Sequence, residues 1–99
     1  MAWYFYLAYF FAGFSIVNSI PHYVRGVTGH RFPTPFASPP GRGESPPIVN
    51  VVWGLFNFCL GVFFLTLGEF SFGYNLWTLT FVGAVVIASL QLSYFFSLV

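Results

Sequence analysis

The sequence predicts an all-α membrane protein: three transmembrane helices in a small bundle, with a Pro-rich loop between the first and second. Three observations carry that reading. Charged residues make up 5% of the 99 residues, against 58% hydrophobic and 24% aromatic, whereas a soluble domain carries about 25% charged residues to hold water at its surface. The charges also cluster: Arg25, Arg31, Arg42 and Glu44 fall in one stretch, and Glu69 stands alone. Between them lie three uncharged runs, Ala2–Ile20, Ile48–Leu67 and Leu76–Val99, of 19, 20 and 24 residues. A helix of about 20 apolar residues crosses a hydrocarbon core. Backbone groups in lipid must be satisfied internally, so each run is assigned as helix; a closed barrel needs at least about eight strands. The same composition excludes disorder, and a net charge of +1 with no lysine excludes a nucleic-acid partner.

The elements of this single domain, 1–99, follow in order. The first helix covers 2–20. Continuation to 26 is favoured over a stop at Pro21, because it places Asn18, His22 and Arg25 on one side at spacings of four and three. No positive leader region or small-residue cleavage pattern marks this segment as a signal peptide, so it is expected to be retained. The loop covers 27–47. Six of the seven prolines lie between Pro33 and Pro47, removing donors and fixing φ, so this stretch is expected to be extended or turn-like rather than helix or sheet. Its contact residues are expected to be Phe32 and Phe36, buried on the helix ends or on a partner, with Arg25 and Arg31 at headgroup level. Pro46-Pro47 opens the second helix, 48–67, since proline is tolerated in a first turn. A glycine-flanked turn, 68–75, leads to the third helix, 76–98, and makes the second and third helices an antiparallel hairpin.

Loops rich in arginine stay on the cytoplasmic side. All three arginines are in or beside the first loop, which predicts a cell-membrane protein with its N-terminus outside and its C-terminus in the cytoplasm. Trp3, Tyr4, Tyr6, Tyr74 and Trp77 fit an aromatic belt on the outer side.

Lipid gives no hydrophobic reward for helix association, so small and polar residues mark the packing seams. Ala8, Ala12, Ser15 and Ser19 form such a stripe in the first helix, Asn50, Gly54, Asn57 and Gly61 in the second, and Thr80, Ala84, Ala88 and Gln91 in the third. Steps of three and four keep each stripe on one side of its helix. Asn50, Asn57 and Gln91 are expected to exchange hydrogen bonds across the seam.

No nucleotide-binding, metalloprotease or serine-hydrolase motif is present, and no pair of intramembrane carboxylates offers a proton relay. No catalytic residue and no metal ligand set is assigned. Cys59, the single cysteine, reads as a packing residue. His22 is the candidate cofactor ligand, with Asn18 expected to support its ring; the cofactor itself is unknown. His30 is expected to meet water, phosphate or a lipid headgroup with Arg25 and Arg31.

Asn18-Ser-Ile-Pro-His22, Gly-Val-Thr-Gly at 26–29 and Phe-Pro-Thr-Pro-Phe-Ala-Ser-Pro-Pro-Gly at 32–41 resemble a stretch of small bacterial membrane proteins of unassigned activity, built of a helix, a Pro-rich loop and a further helix pair. The resemblance spans about residues 18–58. It implies a bacterial inner membrane and carries over no functional residue.

Three functions remain open. The first is a non-enzymatic accessory or structural subunit, contacting lipids and packing against other membrane subunits or copies of itself. The second is an oligomeric small transporter or channel with Asn50, Asn57 and Gln91 along its path. The third is a haem-, pigment- or quinone-binding protein using His22.

Overall fold

The chain folds around α1 (Tyr4–Val27), with α2 (Pro47–Leu67) and α3 (Leu76–Ser97) packed against it and a two-residue pairing of β1 (Phe32–Pro33) with β2 (Glu44–Ser45) in the first connection. This arrangement is that of a computed structural model, which describes residues 3–67, 73 and 75–98. The turn expected over 68–75, including Glu69 and Tyr74, lies outside the described residues except for Gly73 and Asn75, as do Ala2 and Val99.

The protein is all-helical apart from that short pairing, and α2 and α3 are long and apolar enough to cross a membrane. α1 has 24 residues, but Tyr4, Tyr6 and Tyr9 at its start and Asn18, Ser19, His22 and Arg25 further on dilute its apolar character. Among the described residues two helices, rather than the three expected, therefore meet the requirement of length and apolarity.

α1 passes through Pro21 and ends where the chain can turn left-handed. Gly29 sits at φ 80°, a conformation that costs glycine nothing. Gly29 N–H then reaches the Gly26 carbonyl (3.0 Å) and His30 N–H the Arg25 carbonyl (2.9 Å), the paired closure of a Schellman motif. Thr28 Oγ1 donates to the Val24 carbonyl at 2.7 Å. His30 is thus part of the helix cap, its Nδ1 lying 3.0 Å from Thr28 Oγ1. α3 starts on a side-chain cap, Asn75 Oδ1 accepting from Thr78 N–H at 2.9 Å.

Close approach is made possible by missing side chains. A Cβ on Gly54 would lie 2.8 Å from Tyr23 N and 3.0 Å from Ser19 O. On Gly61 it would strike Ile16 and lie 3.0 Å from Ala12 O. On Gly26 it would lie 2.6 Å from Pro47 O. Pro47, Gly54 and Gly61 step by seven along α2 while Gly26, Ser19 and Ala12 step back by seven along α1, so the two helices are antiparallel with a heptad register. α3 meets the other flank of α1, where a Cβ on Gly13 would lie 2.9 Å from both Ala84 Cβ and Phe81 O. Near the loop, Phe96 of α3 lies against His22, so α3 runs parallel to α1.

The second and third helices run antiparallel as expected, but they do not pack on each other as a hairpin: both pack on α1 and scarcely touch. α1 can serve two neighbours because it carries small residues on two flanks, Ala12, Ser19 and Gly26 towards α2 and Gly13 towards α3. The helices bury little else. Asn50, Gly54, Asn57 and Gly61 are the buried residues of α2, and Ala84 and Ala88 those of α3.

The loop holds more structure than its prolines predict. Phe32 pairs with Ser45 and Pro33 with Glu44, a ladder so short that the missing N–H of Pro33 breaks nothing. Inside it, the Thr34 carbonyl accepts from Gly41 N–H and the Pro39 carbonyl from Gly43 N–H, both at 2.8 Å. Thr34 and Ser45, 1% and 4% exposed, join their hydroxyls at 2.5 Å.

Gly54→Leu forces a branched side chain into the α1 backbone. It is expected to lower stability in detergent by roughly 1–3 kcal/mol, measured by denaturant unfolding, whereas Cys59→Leu, on the exposed side of the same helix, leaves the midpoint unchanged.

Candidate functional site

At the loop end of the bundle one amide gathers four elements. Asn50 is one turn into α2 and fully buried. Its Nδ2 faces three carbonyls, Phe32 O at 3.1 Å, Ser45 O at 3.2 Å and Pro46 O at 3.3 Å. Two N–H groups shared among three acceptors leave Oδ1 turned the other way, towards His22 of α1, whose Nδ1 lies 2.9 Å from it. Because Oδ1 can only accept, His22 Nδ1 is the donor. In the neutral ring the lone pair then sits on Nε2, which makes no hydrogen bond among the described residues. The ring itself is 2% exposed and wedged edge-on against Phe32, Trp53 and Phe96 at centroid distances of 5.3, 6.4 and 6.0 Å.

His22 borders a cavity of about 200 Å³, walled also by Asn18, Thr34, Trp53, Phe95 and Phe96. Trp53 Nε1 is buried without a hydrogen-bond partner among the described residues. One turn further from the loop, Asn18 Nδ2 donates to Asn57 Oδ1 at 3.2 Å, and Asn57 Nδ2 donates to the Trp53 carbonyl at 2.8 Å. The described residues contain no cluster of three or more His, Cys, Asp or Glu side chains able to hold a metal ion. The site offers hydrogen-bonding groups in an aromatic-walled hollow.

The structure places the residues singled out from the sequence as follows. His22 and Asn50 come together; the expected partner of His22, Asn18, does not support the ring but reaches Asn57 instead. Ala12, Ser15 and Ser19 are buried in α1 and Ala8 is half-buried. Asn50, Gly54, Asn57 and Gly61 are buried, as are Ala84 and Ala88, whereas Thr80 is half-buried with its hydroxyl on the Leu76 carbonyl and Gln91 is exposed. The exchange of hydrogen bonds among Asn50, Asn57 and Gln91 is corrected accordingly. Asn50 and Asn57 bond to α1 and to backbone carbonyls, and Gln91 points away because α3 touches α1 through Ala84 and Ala88 and then through Phe96. Those three side chains share no common path.

In the loop, Phe32 is half-buried on the Phe96 ring (4.5 Å), with the Arg25 guanidinium 5.7 Å above its centroid. Phe36 lies perpendicular to the Trp53 ring at 5.0 Å but is 66% exposed, so its expected burial does not occur within the chain. Arg31 is exposed. Trp53, Thr34, Ser45 and Phe96 belong to the site without having been singled out. The seven-residue spacing of Asn50 and Asn57 against the four-residue spacing of Asn18 and His22 was the available signal, readable once the helices are known to be antiparallel.

No protein-family model matches the chain, and no curated protein or solved structure is detectably similar to it.

Replacing the hub amide strips partners from buried groups on four elements. Asn50→Leu is expected to cost about 3 kcal/mol, since each orphaned buried group costs about 1–3 kcal/mol, and to open residues 28–44 to protease. Asn57→Leu, which removes one interhelical bond, is expected to cost about 1 kcal/mol and leave the loop protected. Unfolding in detergent with limited proteolysis measures both; equal losses would deny Asn50 its role.

Proposed function

We propose that the chain is an integral protein of the cell membrane that crosses it three times, N-terminus outside and C-terminus in the cytoplasm, and serves as a non-enzymatic subunit packed against copies of itself or another membrane protein. The observation that supports this most directly is the free side of α3. Ala84 and Ala88 are all that this 22-residue helix buries. Val86 and Leu90 lie two residues beyond Ala84 and Ala88, about 200° round at 100° per residue, and so face away from α1, with Leu79 on the same side and the half-buried Gly83 at its margin. Leu79, Val86 and Leu90 are 65%, 52% and 68% exposed, and a Cβ on Gly83 would meet nothing within 4 Å. A glycine notch flanked by large apolar residues is where a second helix can come close without help from water.

The three-span reading draws support from direction: α1 runs with α3 and against α2, as successive crossings must. Its orientation draws support from the arginines, which all belong to the end that carries the 28–46 connection.

One observation favours a second reading, a small-molecule-binding protein. His22 is buried, lines the cavity and is held at Nδ1 by Asn50, as a carboxylate or carbonyl oxygen holds the other ring nitrogen of a ligating histidine. At about 200 Å³ the hollow is below the usual 300–1,000 Å³ of ligand sites. It suits a single ring, such as a quinone head, and not a haem or chlorophyll macrocycle.

Reporter fusions at positions 35, 72 and 99 are expected to read inside, outside and inside. Wild-type protein is expected to run in mild detergent as an assembly, and Gly83→Leu to weaken that assembly by about 1 kcal/mol while leaving the unfolding midpoint of the single chain unchanged. A reporter at 72 that reads inside, or wild-type protein that runs as a lone chain, would overturn the reading. An absorbance spectrum and organic extract of the same preparation test the second reading.

A further inference from the structure

We infer that the arginine-bearing end of the bundle holds one phospholipid molecule, its phosphate taken by Arg25 and Arg42 and an acyl chain laid in the groove between α1 and α3. The inference rests on the membrane reading above and goes beyond it by naming a site.

Two hollows that share walls carry it. The first is a cleft of about 460 Å³ bordered by Arg25 from the last turn of α1, Arg42 and Glu44 from the loop, and the rings of Phe32 and Phe96. Two arginines against one glutamate leave a single formal positive charge, the complement of one phosphodiester. The Arg25 guanidinium carbon lies 5.7 Å from the Phe32 ring centroid, and a guanidinium is suited to bidentate contact with phosphate oxygens. The second hollow, about 380 Å³, is a trough between Val17, Ile20 and Pro21 of α1 and Ser89, Leu92 and Ser93 of α3. Phe32 and Phe96 wall both hollows, so the cleft and the trough lie side by side.

The order of these parts matches an amphiphile. From Phe96 the trough runs back past Ser93 to Ser89 on α3, and from Pro21 to Val17 on α1. Because the two helices are parallel, both directions lead from the arginine end towards the middle of the bundle. A head at Arg25 and Arg42 therefore puts its chain into the apolar trough at membrane depth. The small serines of α3 leave the room, and α3 stands off from α1 here because their close contact is made further along, at Gly13 and Ala84. Free phosphate would use the cleft alone and leave the trough without an occupant. The trough is what selects a lipid.

Native mass spectrometry of the detergent-purified protein tests this with three probes: dioleoyl phosphatidylglycerol, dioleoylglycerol, which has the chains without the phosphate, and inorganic phosphate. A one-to-one phosphatidylglycerol complex is expected, resistant to inorganic phosphate. The R25Q/R42Q protein is expected to bind roughly 25-fold more weakly, about fivefold per arginine from about 1 kcal/mol each. Ser93→Phe, which fills the trough from an exposed position of α3, is expected to weaken binding without changing any charge. Equal retention of dioleoylglycerol, displacement by equimolar inorganic phosphate, or undiminished binding in R25Q/R42Q would each overturn the site. Fractionation of the same cells separates the two readings: protein that stays in the membrane while R25Q/R42Q retains its lipid sinks the site alone, and wild-type protein recovered without detergent sinks the membrane reading with it.

Discussion

The Asn50 side chain ties the register of the helices to the shape of the loop. An amide carries two donors and two acceptor lone pairs. Here the donors close the loop onto α2 through the Phe32, Ser45 and Pro46 carbonyls, and one lone pair fixes the His22 ring of α1. Turning α2 by one residue rotates this amide about 100° and parts it from every one of those groups. They would be left unpaired in a dry interior, where each orphan is costly. The heptad register of α1 on α2 and the fold of residues 28–46 are therefore one constraint with two expressions. Trp53 Nε1 is the exception inside this network, a buried donor without a partner among the described residues.

The rest of the architecture follows from how little side chain stands between the helices. In lipid there is no gain from hiding apolar surface, and association depends on close packing and interhelical hydrogen bonds. α1 meets both demands on two flanks, and so it becomes the centre. Gly54 and Gly61 let α2 reach its backbone, and Gly13 lets α3 do so. A direct α2–α3 hairpin would have had to form between faces carrying Phe56, Phe63, Val86 and Leu90, all exposed here. Large side chains fill space well against lipid tails but hold neighbouring backbones apart.

Spacing in the sequence marks which side of each helix is small and polar, and in α2 the four residues on that side, Asn50, Gly54, Asn57 and Gly61, are the ones buried. Spacing does not say how far along the helix a contact extends. Thr80 and Gln91 continue the Ala84–Ala88 stripe in sequence, yet α3 approaches α1 closely only where Gly13 permits it, and near the loop the contact passes to the Phe96 ring. Nor does local spacing identify partners. The four-residue step from Asn18 to His22 puts both on one face of α1, but each then reaches across to a different turn of α2, Asn57 and Asn50. The β1–β2 pairing was hidden for a related reason. Its residues stand about a dozen apart, and Pro33 argues against a strand unless the ladder is so short that its missing N–H goes unused. Gly29 and Gly13 were visible as letters, but their roles depend on the direction the chain takes next.

The two ends of the bundle are consequently held by different physics. At the loop end, His22, Asn50, Asn18, Asn57, Thr34 and Ser45 form directional bonds that each require one geometry, and the Phe32, Phe96 and Arg25 stack closes over them. Towards the far end, α1 and α3 meet through Gly13, Phe81 and Ala84, contacts that tolerate small slides because dispersion falls off smoothly with distance. α3 is the less constrained partner, since two alanines and one terminal aromatic ring secure it, while α2 is tied by glycine contacts at three positions spanning two heptad steps and by two hydrogen-bonded asparagines. A helix held that lightly on one side keeps most of its surface free of the chain's other helices. The strict polar geometry sits at the end that carries the arginines, so that end is the part of the molecule whose shape is most firmly set.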